Sequence, residues 1–150
     1  MNGKYFIMYT CLRTLKLSTL RSFVNVTDGA ITSSSSSAGI GYATGAGSTV
    51  TQATSKATGV TINAVSGVII TDDASLAAGA EVTFTVTNSA VAATDVILLS
   101  LGTTTTGTPF AFVSDVSAGS FDITITNLHA STANTSAEGI NFVVIKAVTA

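Results

Sequence analysis

The chain has 150 residues, enough for one domain with a hydrophobic core. Hydrophobic residues make up 46% of it and charged residues only 9%, and the net charge is −2. This composition excludes a disulfide scaffold, because Cys11 is the only cysteine, and it excludes a strongly basic nucleic-acid-binding surface.

Threonine takes the place of the missing charges, with 26 copies in the chain. Its β-branched side chain fits a pleated, half-buried strand and leaves a neutral surface. Such a surface favours a protein that packs against copies of itself or against a large partner. A secreted β domain with a neutral surface is the alternative interpretation. No stretch of about 18 apolar residues is present, so we expect neither a membrane span nor a membrane partner.

Residues 1–38 differ from the rest of the chain and are predicted to form an N-terminal arm with a serine-rich linker. Four leucines and three basic neighbours give a rough helical face: Leu12, Leu15, Leu17 and Leu20, with Arg13, Lys16 and Arg21. One interpretation of this segment is an arm that docks on an acidic or membrane-like surface. The alternatives are a frayed end and an upstream extension of the true start. "VNVTDGAIT" (24–32) predicts a short strand or hairpin, and the serine run that ends at Ser37 is typical of a flexible linker.

A glycine-rich phrase, "GIGYATGAG" (39–47), opens the second predicted domain, residues 39–150. A dinucleotide-binding loop needs the spacing G-x-G-x-x-G with a helix behind it. Here three residues separate Gly41 from Gly45, and a β-branched segment follows. We therefore expect no phosphate site and no cofactor. The glycines are predicted instead to let the backbone bend sharply and pack closely as it enters the domain.

From residue 48 onward, segments typical of β-strands alternate with short segments typical of turns. The predicted elements, in chain order, are strands at 48–55 and 59–65, a tight turn at Ser66-Gly67, strands at 68–71, 81–88 and 96–101, and connectors at 72–80 and 89–95. In "EVTFTVTN" (81–88), Val82, Phe84 and Val86 point one way and the threonines point the other. "VILLSL" (96–101) is apolar on both faces, which predicts a central strand covered on both sides.

The pattern continues to the end of the domain. The further predicted elements are a hairpin loop at 102–109, a strand at 110–116, a turn at 117–120, a strand at 121–128, a polar loop at 129–139 and a strand at 140–148. Phe110 and Phe112 are expected on one side of their strand. In "FDITITNL" (121–128), Phe121, Ile123 and Ile125 are expected to face inward.

Seven to eight strands with almost no helix predict an all-β fold, an antiparallel β-sandwich or jelly roll. Each sheet is expected to have one packed face and one solvated face. The predicted core contains the large inward residues of these strands: Val82, Phe84, Val86, Leu98, Phe112, Phe121, Ile123 and Phe142.

Candidate catalytic and metal-binding residues are sparse. His129 is the only histidine, and it lies in a polar loop that we expect to be exposed. His129 and Cys11 are too few for the usual zinc site. A Ser-His-Asp arrangement with Asp115 or Asp122 is not favoured, because no G-x-S-x-G elbow is present. We expect no catalytic residue and no bound metal, so an enzyme is the least favoured class.

Four phrases together resemble a known family: "GIGYATGAGSTVTQATSKATGVTINAVSG", "LAAGAEVTFTVTNSAVAATDVILLS", "VSAGSFDITITN" and "INFVVIKAV". They are similar to small β proteins encoded by tailed bacteriophages and prophages, which are virion structural proteins. The phrases span roughly residues 39–149, and "GYATGAGSTVTQATSKATGVT" is the most specific of them. The resemblance implies a β-sandwich that serves as a building part of the particle, and it carries no catalytic residues. It leaves open a capsid decoration (cement) protein, a head fibre and a tail component.

The residues and the resemblance together predict a non-enzymatic virion protein, with a capsid decoration protein as the first choice. A tail or head-fibre component, or a receptor- or carbohydrate-binding module, is the alternative. The expected partners are copies of the same chain, with a trimer as one candidate symmetry, and the major capsid protein or other virion proteins. The expected location is the phage particle, and the host cytoplasm during assembly. The candidate assembly contacts are Gly39, Gly41, Tyr42, Gly45, Thr104, Thr105 and His129.

Overall fold

The computed structural model describes residues 34–37, 39–102 and 106–147. The chain divides into two units, Met1–Ile40 and Gly41–Ala150, and the second unit contains every strand of the described residues. No helix occurs among the described residues, so none of them forms a helix that could span a membrane. The expectations for residues 1–32 lie outside the described part of the chain.

Eight strands follow one another along the second unit, and they confirm the all-β prediction. They are β1 (Gly47–Thr51), β2 (Val60–Thr61), β3 (Ser66–Ile70), β4 (Glu81–Thr87), β5 (Val96–Leu101), β6 (Pro109–Ser117), β7 (Ser120–Asn127) and β8 (Gly139–Ile145). The first sheet has the order β1-β3-β8-β5 and the second sheet the order β2-β4-β7-β6. Two four-stranded sheets therefore make the body of the protein.

Strand direction departs in part from the antiparallel expectation. The pairs β3–β8, β5–β8, β4–β7 and β6–β7 are antiparallel, whereas β1 lies parallel to β3 and β2 lies parallel to β4. The cause is that successive strands alternate between the sheets at the start of the domain. Because β2 runs back through the second sheet, β1 and β3 run in the same direction in the first. Both sheets are consequently mixed, with the parallel pair at one edge.

The inner faces of the two sheets form one hydrophobic core. Its buried members are Val60, Ile62, Ile69, Leu76, Phe84, Val86, Val91, Ile97, Phe121, Ile123, Ile125, Ile140, Phe142 and Val144. Phe121 of the second sheet and Phe142 of the first meet with ring centroids 5.7 Å apart at an interplanar angle of 48°. Such tilted aromatic pairs are favourable beyond the area that they bury. The predicted alternation in β4 and β7 is confirmed, since Phe84, Val86 and Ile123 are buried.

Leu98 does not belong to the core, and the prediction of a central strand at 96–101 is wrong. β5 is an edge strand of the first sheet, with β8 on one side only. Its odd positions face inward, so Ile97 is 8% exposed while Leu98 is 52% exposed. A segment that is apolar on both faces fits either a covered central strand or a strand with an uncovered apolar face, and periodicity cannot separate the two.

Phe112 is also misplaced by the sequence prediction. It lies on the outer face of β6 with Phe110, and the two are 39% and 52% exposed. The inward positions of β6 are Ala111 and Val113, which stand opposite Ile125 and Ile123 of β7 and pack on the core. In "FAFV" the residues on both faces of the strand are apolar. The prediction therefore places the larger side chain of Phe112 on the inner face, which the smaller Ala111 and Val113 occupy.

Two predicted turns are different elements in the structure. Ser66 and Gly67 belong to β3 and pair with β1 and β8. A Cβ on Gly67 would stand 2.4 Å from the carbonyl oxygen of Ser48, so the glycine permits close approach of two strands. The segment 102–109 is not a hairpin loop, because β5 and β6 belong to different sheets. The turn between β6 and β7 is confirmed, with Gly119 at a φ of 87°.

The glycine-rich entry behaves as predicted at two of its positions. Gly45 has a φ of 96° in the turn closed by the bond from Ala46 N to Ala43 O (3.1 Å). A Cβ on Gly47 would lie 3.4 Å from Ser66 Oγ, so β1 begins in close contact with β3. A strand follows this phrase, which is the wrong element for a dinucleotide-binding loop.

Candidate functional site

The sandwich has two ends, which we name after the ends of β8. At the Gly139 end, the buried Asn127 closes β7 and joins several loops. Its Nδ2 donates to the carbonyls of Leu76 (3.1 Å), Ala77 (3.3 Å) and Thr132 (2.9 Å). Its Oδ1 accepts from the backbone N–H groups of Thr108 (3.0 Å) and His129 (3.2 Å). The polar loop at 129–139 is therefore hydrogen-bonded to the body of the domain through Asn127.

His129, one of the candidate contacts, lies at the Gly139 end and is half-buried. Its Nδ1 accepts hydrogen bonds from the backbone N–H groups of Ser131 (3.1 Å) and Thr132 (2.8 Å). The imidazole thus caps its own loop. Thr104 and Thr105 lie outside the described residues.

Tyr42, another candidate contact, lies near the Ile145 end, and Gly39 and Gly41 precede it in the chain. The Tyr42 side chain is 46% exposed, and its hydroxyl donates to the carbonyl of Val144 near the Ile145 end. Gly39 and Gly41 are exposed, with no heavy atom within 4 Å of an added Cβ. The described candidates therefore do not form a single patch, because Tyr42 and His129 are at opposite ends of β8.

The outer face of the first sheet carries an apolar cluster that the sequence prediction missed. We call Val96, Leu98, Val143 and Ile145 the β5–β8 patch. Val96 stands opposite Ile145 and Leu98 opposite Val143 in the antiparallel register. Val96, Leu98 and Ile145 are among the exposed large hydrophobic side chains, and Val143 is half-buried. The cluster lies at a sheet edge, because β5 is the last strand of its sheet.

The outer face of the second sheet carries a different feature, an aromatic pair. The rings of Phe110 and Phe112 are stacked, with centroids 6.1 Å apart and an interplanar angle of 29°. Their neighbours across the sheet are Thr126 and Thr124 of β7. Thr124 is joined by its hydroxyl to Thr83 (2.7 Å). This face therefore combines an exposed aromatic pair with a row of hydroxyl groups.

A buried polar cluster lies inside the Gly139 end. The Lys56 side chain, 3% exposed, donates through Nζ to the carbonyls of Asp72 (2.5 Å) and Ser136 (2.6 Å). Burial lowers the pKa of Lys56, and the charges of Glu138, Asp72 and Asp73 oppose that shift. This cluster could not be predicted from the sequence, because Lys56 lies in a segment whose composition is typical of solvated loops.

Glu138 and Asn134 complete the buried polar cluster, and both are fully buried. Asn134 Nδ2 donates to Glu138 Oε1 (2.7 Å) and to the carbonyl of Thr106 (2.8 Å). Thr71 fixes the glutamate backbone, because its Oγ1 accepts from Glu138 N (2.8 Å) and its N–H donates to Glu138 O (2.9 Å). Asn134 Oδ1 and Glu138 Oε2 are buried without a hydrogen-bond partner among the described residues.

An ion pair holds the Ile145 end. Lys146 Nζ contacts Asp95 Oδ2 at 2.5 Å, and the backbone N–H of Ala92 donates to the same oxygen (2.8 Å). The bond from Ala92, followed by that from Lys146, lowers the pKa of Asp95 below its usual value. The ion pair joins the connector before β5 to the residue after β8.

Groups that could hold a metal ion are not found in the described part of the chain, where no three His, Cys, Asp or Glu side chains come together. No protein-family model, curated protein or solved structure matches the chain.

Proposed function

We propose that the chain is a non-enzymatic structural protein of a bacteriophage virion, a decoration (cement) protein that binds the assembled capsid as a homo-oligomer. The observation that carries the proposal is the β5–β8 patch on the outer face of the first sheet. Contiguous exposed apolar side chains on a soluble domain mark surfaces that contact other proteins. The resemblance of residues 39–149 to phage structural proteins supports the choice of partner.

The low charge of the chain supports the same proposal. Only 9% of the residues are charged, so neighbouring copies packed on a lattice repel one another weakly. A protein that binds the assembled shell and not the free subunits stabilises the shell by mass action. This mechanism needs complementary faces and no reactive group.

The location of the chain in intact particles tests the proposal. An electron-microscopy map of purified particles that carry the chain is expected to show it repeated over the outer surface of the capsid lattice. Density confined to the tail would contradict the decoration role and favour the tail component. Absence of the chain from purified particles would contradict both.

A matched pair of variants tests the surface that carries the proposal. Leu98→Asp places a charge within the β5–β8 patch and is expected to weaken both self-association and capsid binding. Ser100→Asp places the same charge on the same strand and face, where the native residue is already polar and exposed, and is expected to bind normally. Sedimentation with isolated capsids measures both, and equal binding by the two variants would reject the patch as the contact.

A second candidate function is binding of a receptor or a carbohydrate, and the Phe110–Phe112 pair favours it. This function needs exposed aromatic side chains, which the sequence prediction had assigned in part to the core. Stacked rings beside the half-buried Thr126 hydroxyl offer an apolar platform with a polar neighbour. Glycan-array binding by the full chain that is lost in Phe110→Ala and Phe112→Ala would support this candidate, and a blank array would contradict it.

A further inference from the structure

Inside the Gly139 end, the Asn134 amide and the Glu138 carboxyl are hydrogen-bonded to each other, and the amine of Lys56 lies on the backbone of the segment that carries them. Lys56 Nζ donates to the carbonyl of Ser136, which lies two residues after Asn134 and two residues before Glu138. Its other acceptor, the carbonyl of Asp72, follows Thr71, the residue that fixes the backbone of Glu138. The amine is thereby held against the segment that carries the amide and the carboxyl.

The unpartnered atoms of this cluster have a common explanation. Asn134 Nδ2 donates to Glu138 Oε1 at 2.7 Å. In the part of the chain that the structure describes, Asn134 Oδ1 and Glu138 Oε2 are the two buried side-chain polar atoms without a hydrogen-bond partner. Buried polar atoms without partners are uncommon, and each one costs free energy. A proton on Glu138 Oε2 would let that oxygen donate to Asn134 Oδ1. An acid that donates to an amide oxygen makes the amide carbon more electrophilic.

The surroundings favour nucleophilic attack by the lysine. The three side chains are buried, so bulk water is excluded from the cluster. Burial lowers the pKa of Lys56, which makes the neutral amine easier to reach. A desolvated amine is the form of lysine that acts as a nucleophile in proteins.

We propose that Lys56 and Asn134 form an intramolecular isopeptide cross-link, with Glu138 as the acid that promotes the reaction. Lys56 Nζ lies on the carbonyls of Asp72 and Ser136, so it must first turn from them towards Asn134 and Glu138. There the Lys56 ammonium gives a proton to the Glu138 carboxylate. The lone pair of Nζ then attacks Cγ of Asn134 while the Glu138 carboxyl donates to Oδ1. The bond between Nζ and Cγ forms and the bond between Cγ and Nδ2 breaks. The products are one amide, the Glu138 carboxylate and an ammonium ion that carries away the surplus protons.

The cross-link would join the loop between β1 and β2 to the segment before β8. These two segments are far apart in sequence, so the bond would close a long loop and restrict the unfolded chain. The inference does not depend on the proposed virion role, because the reaction needs only the folded domain.

Intact-mass spectrometry of the denatured full chain tests the cross-link. The wild-type chain is expected to be lighter than its sequence mass by one ammonia molecule, and proteolysis is expected to give a branched peptide that contains both Lys56 and Asn134. A wild-type chain with its full sequence mass would overturn the proposal, whether or not any variant folds.

Variants separate the cross-link from other losses of ammonia. Lys56→Arg and Glu138→Gln are expected to restore the full mass, whereas the control Lys146→Arg is expected to keep the loss. Cyclisation of Asn134 on its own backbone would also release ammonia, but that loss of mass does not need Lys56 and would still be seen in Lys56→Arg. Persistence of the loss in Lys56→Arg, or the absence of a branched peptide, would therefore reject the cross-link.

Discussion

A single buried polar side chain stabilises the loops at each end of this sandwich: Asn127 at the Gly139 end and Asp95 at the Ile145 end. Asn127 makes five hydrogen bonds with backbone groups of three segments around the Gly139 end. A buried amide that satisfies so many backbone groups replaces the regular pairing that loops lack. The burial of Asn127 could not be predicted, because asparagine is common in exposed turns. Its hydrogen-bond partners could not be predicted either, because most of them are distant in sequence.

Asn127→Ala is expected to destabilise the domain by at least about 2 kcal/mol, because it leaves buried backbone groups without partners. The exposed Asn141, whose amide reaches only the carbonyl of Ser100 at 3.4 Å, provides the control. Asn141→Ala is expected to change the free energy of unfolding by less than about 0.5 kcal/mol. Urea denaturation measures both, and similar losses for the two variants would contradict the structural role of Asn127.

Asp95 is expected to make the stability of the domain depend on pH in the acid range. Because its pKa is lower in the folded state, its contribution is present above the pKa of the unfolded chain and is lost as the pH falls through the folded value. The difference in free energy of unfolding between the wild type and Asp95→Asn should therefore shrink with falling pH. Denaturation curves at a series of pH values test this, and a difference independent of pH would refute it.

At the scale of the element, the apolar strands β5 and β6 show where pattern reasoning fails. The sequence correctly predicts strands at "VILLSL" and "FAFV", but the predicted burial of Leu98 and of Phe112 is wrong. Alternation identifies the buried face only when the other face is polar, as it is in β4 and β7. Both misassigned strands are edge strands, and their exposed apolar residues are the surfaces on which the proposed functions depend.

Neighbouring residues of β5 are expected to respond differently to the same substitution. Ile97→Ala removes a buried side chain from the inner face and should cost about 2–5 kcal/mol. Leu98→Ala removes a side chain that is half in solvent and should cost less than about 1 kcal/mol. Thermal unfolding compares the two. A larger cost for Leu98 would restore the sequence prediction of a strand covered on both faces.

Gly67 marks the closest approach between strands and is expected to tolerate no side chain. A methyl group there would meet the carbonyl oxygen of Ser48 and the side chains of Ile62 and Phe142. We expect Gly67→Ala to lose about 1–3 kcal/mol through overpacking. Gly39→Ala, where the added group meets no atom within 4 Å, should be neutral. Denaturant midpoints compare the two variants, and a neutral Gly67→Ala would show that β1 and β3 can separate without cost.

At the scale of the whole molecule, the sequence predicts the class of fold and most strand positions, but not the order of the strands. Threonine alternation and regularly spaced turns indicate two packed sheets. The parallel pairs β1–β3 and β2–β4 could not be predicted, since they depend on which sheet each strand joins. The cluster of Lys56, Asn134 and Glu138 could not be predicted either, because Lys56 is far in sequence from the other two and all three reside in segments with the composition of exposed loops.

The position of β8 has a consequence for how the protein is made. β8 lies between β3 and β5 and pairs with both, although it follows them in the chain. During synthesis β3 and β5 emerge from the ribosome without their shared neighbour, and they present apolar residues until that neighbour arrives. The first sheet can therefore be completed only after residues 139–145 have been translated. Until then, the exposed apolar residues of a nascent chain can associate with those of other nascent chains, so we expect aggregation to compete with folding at this stage.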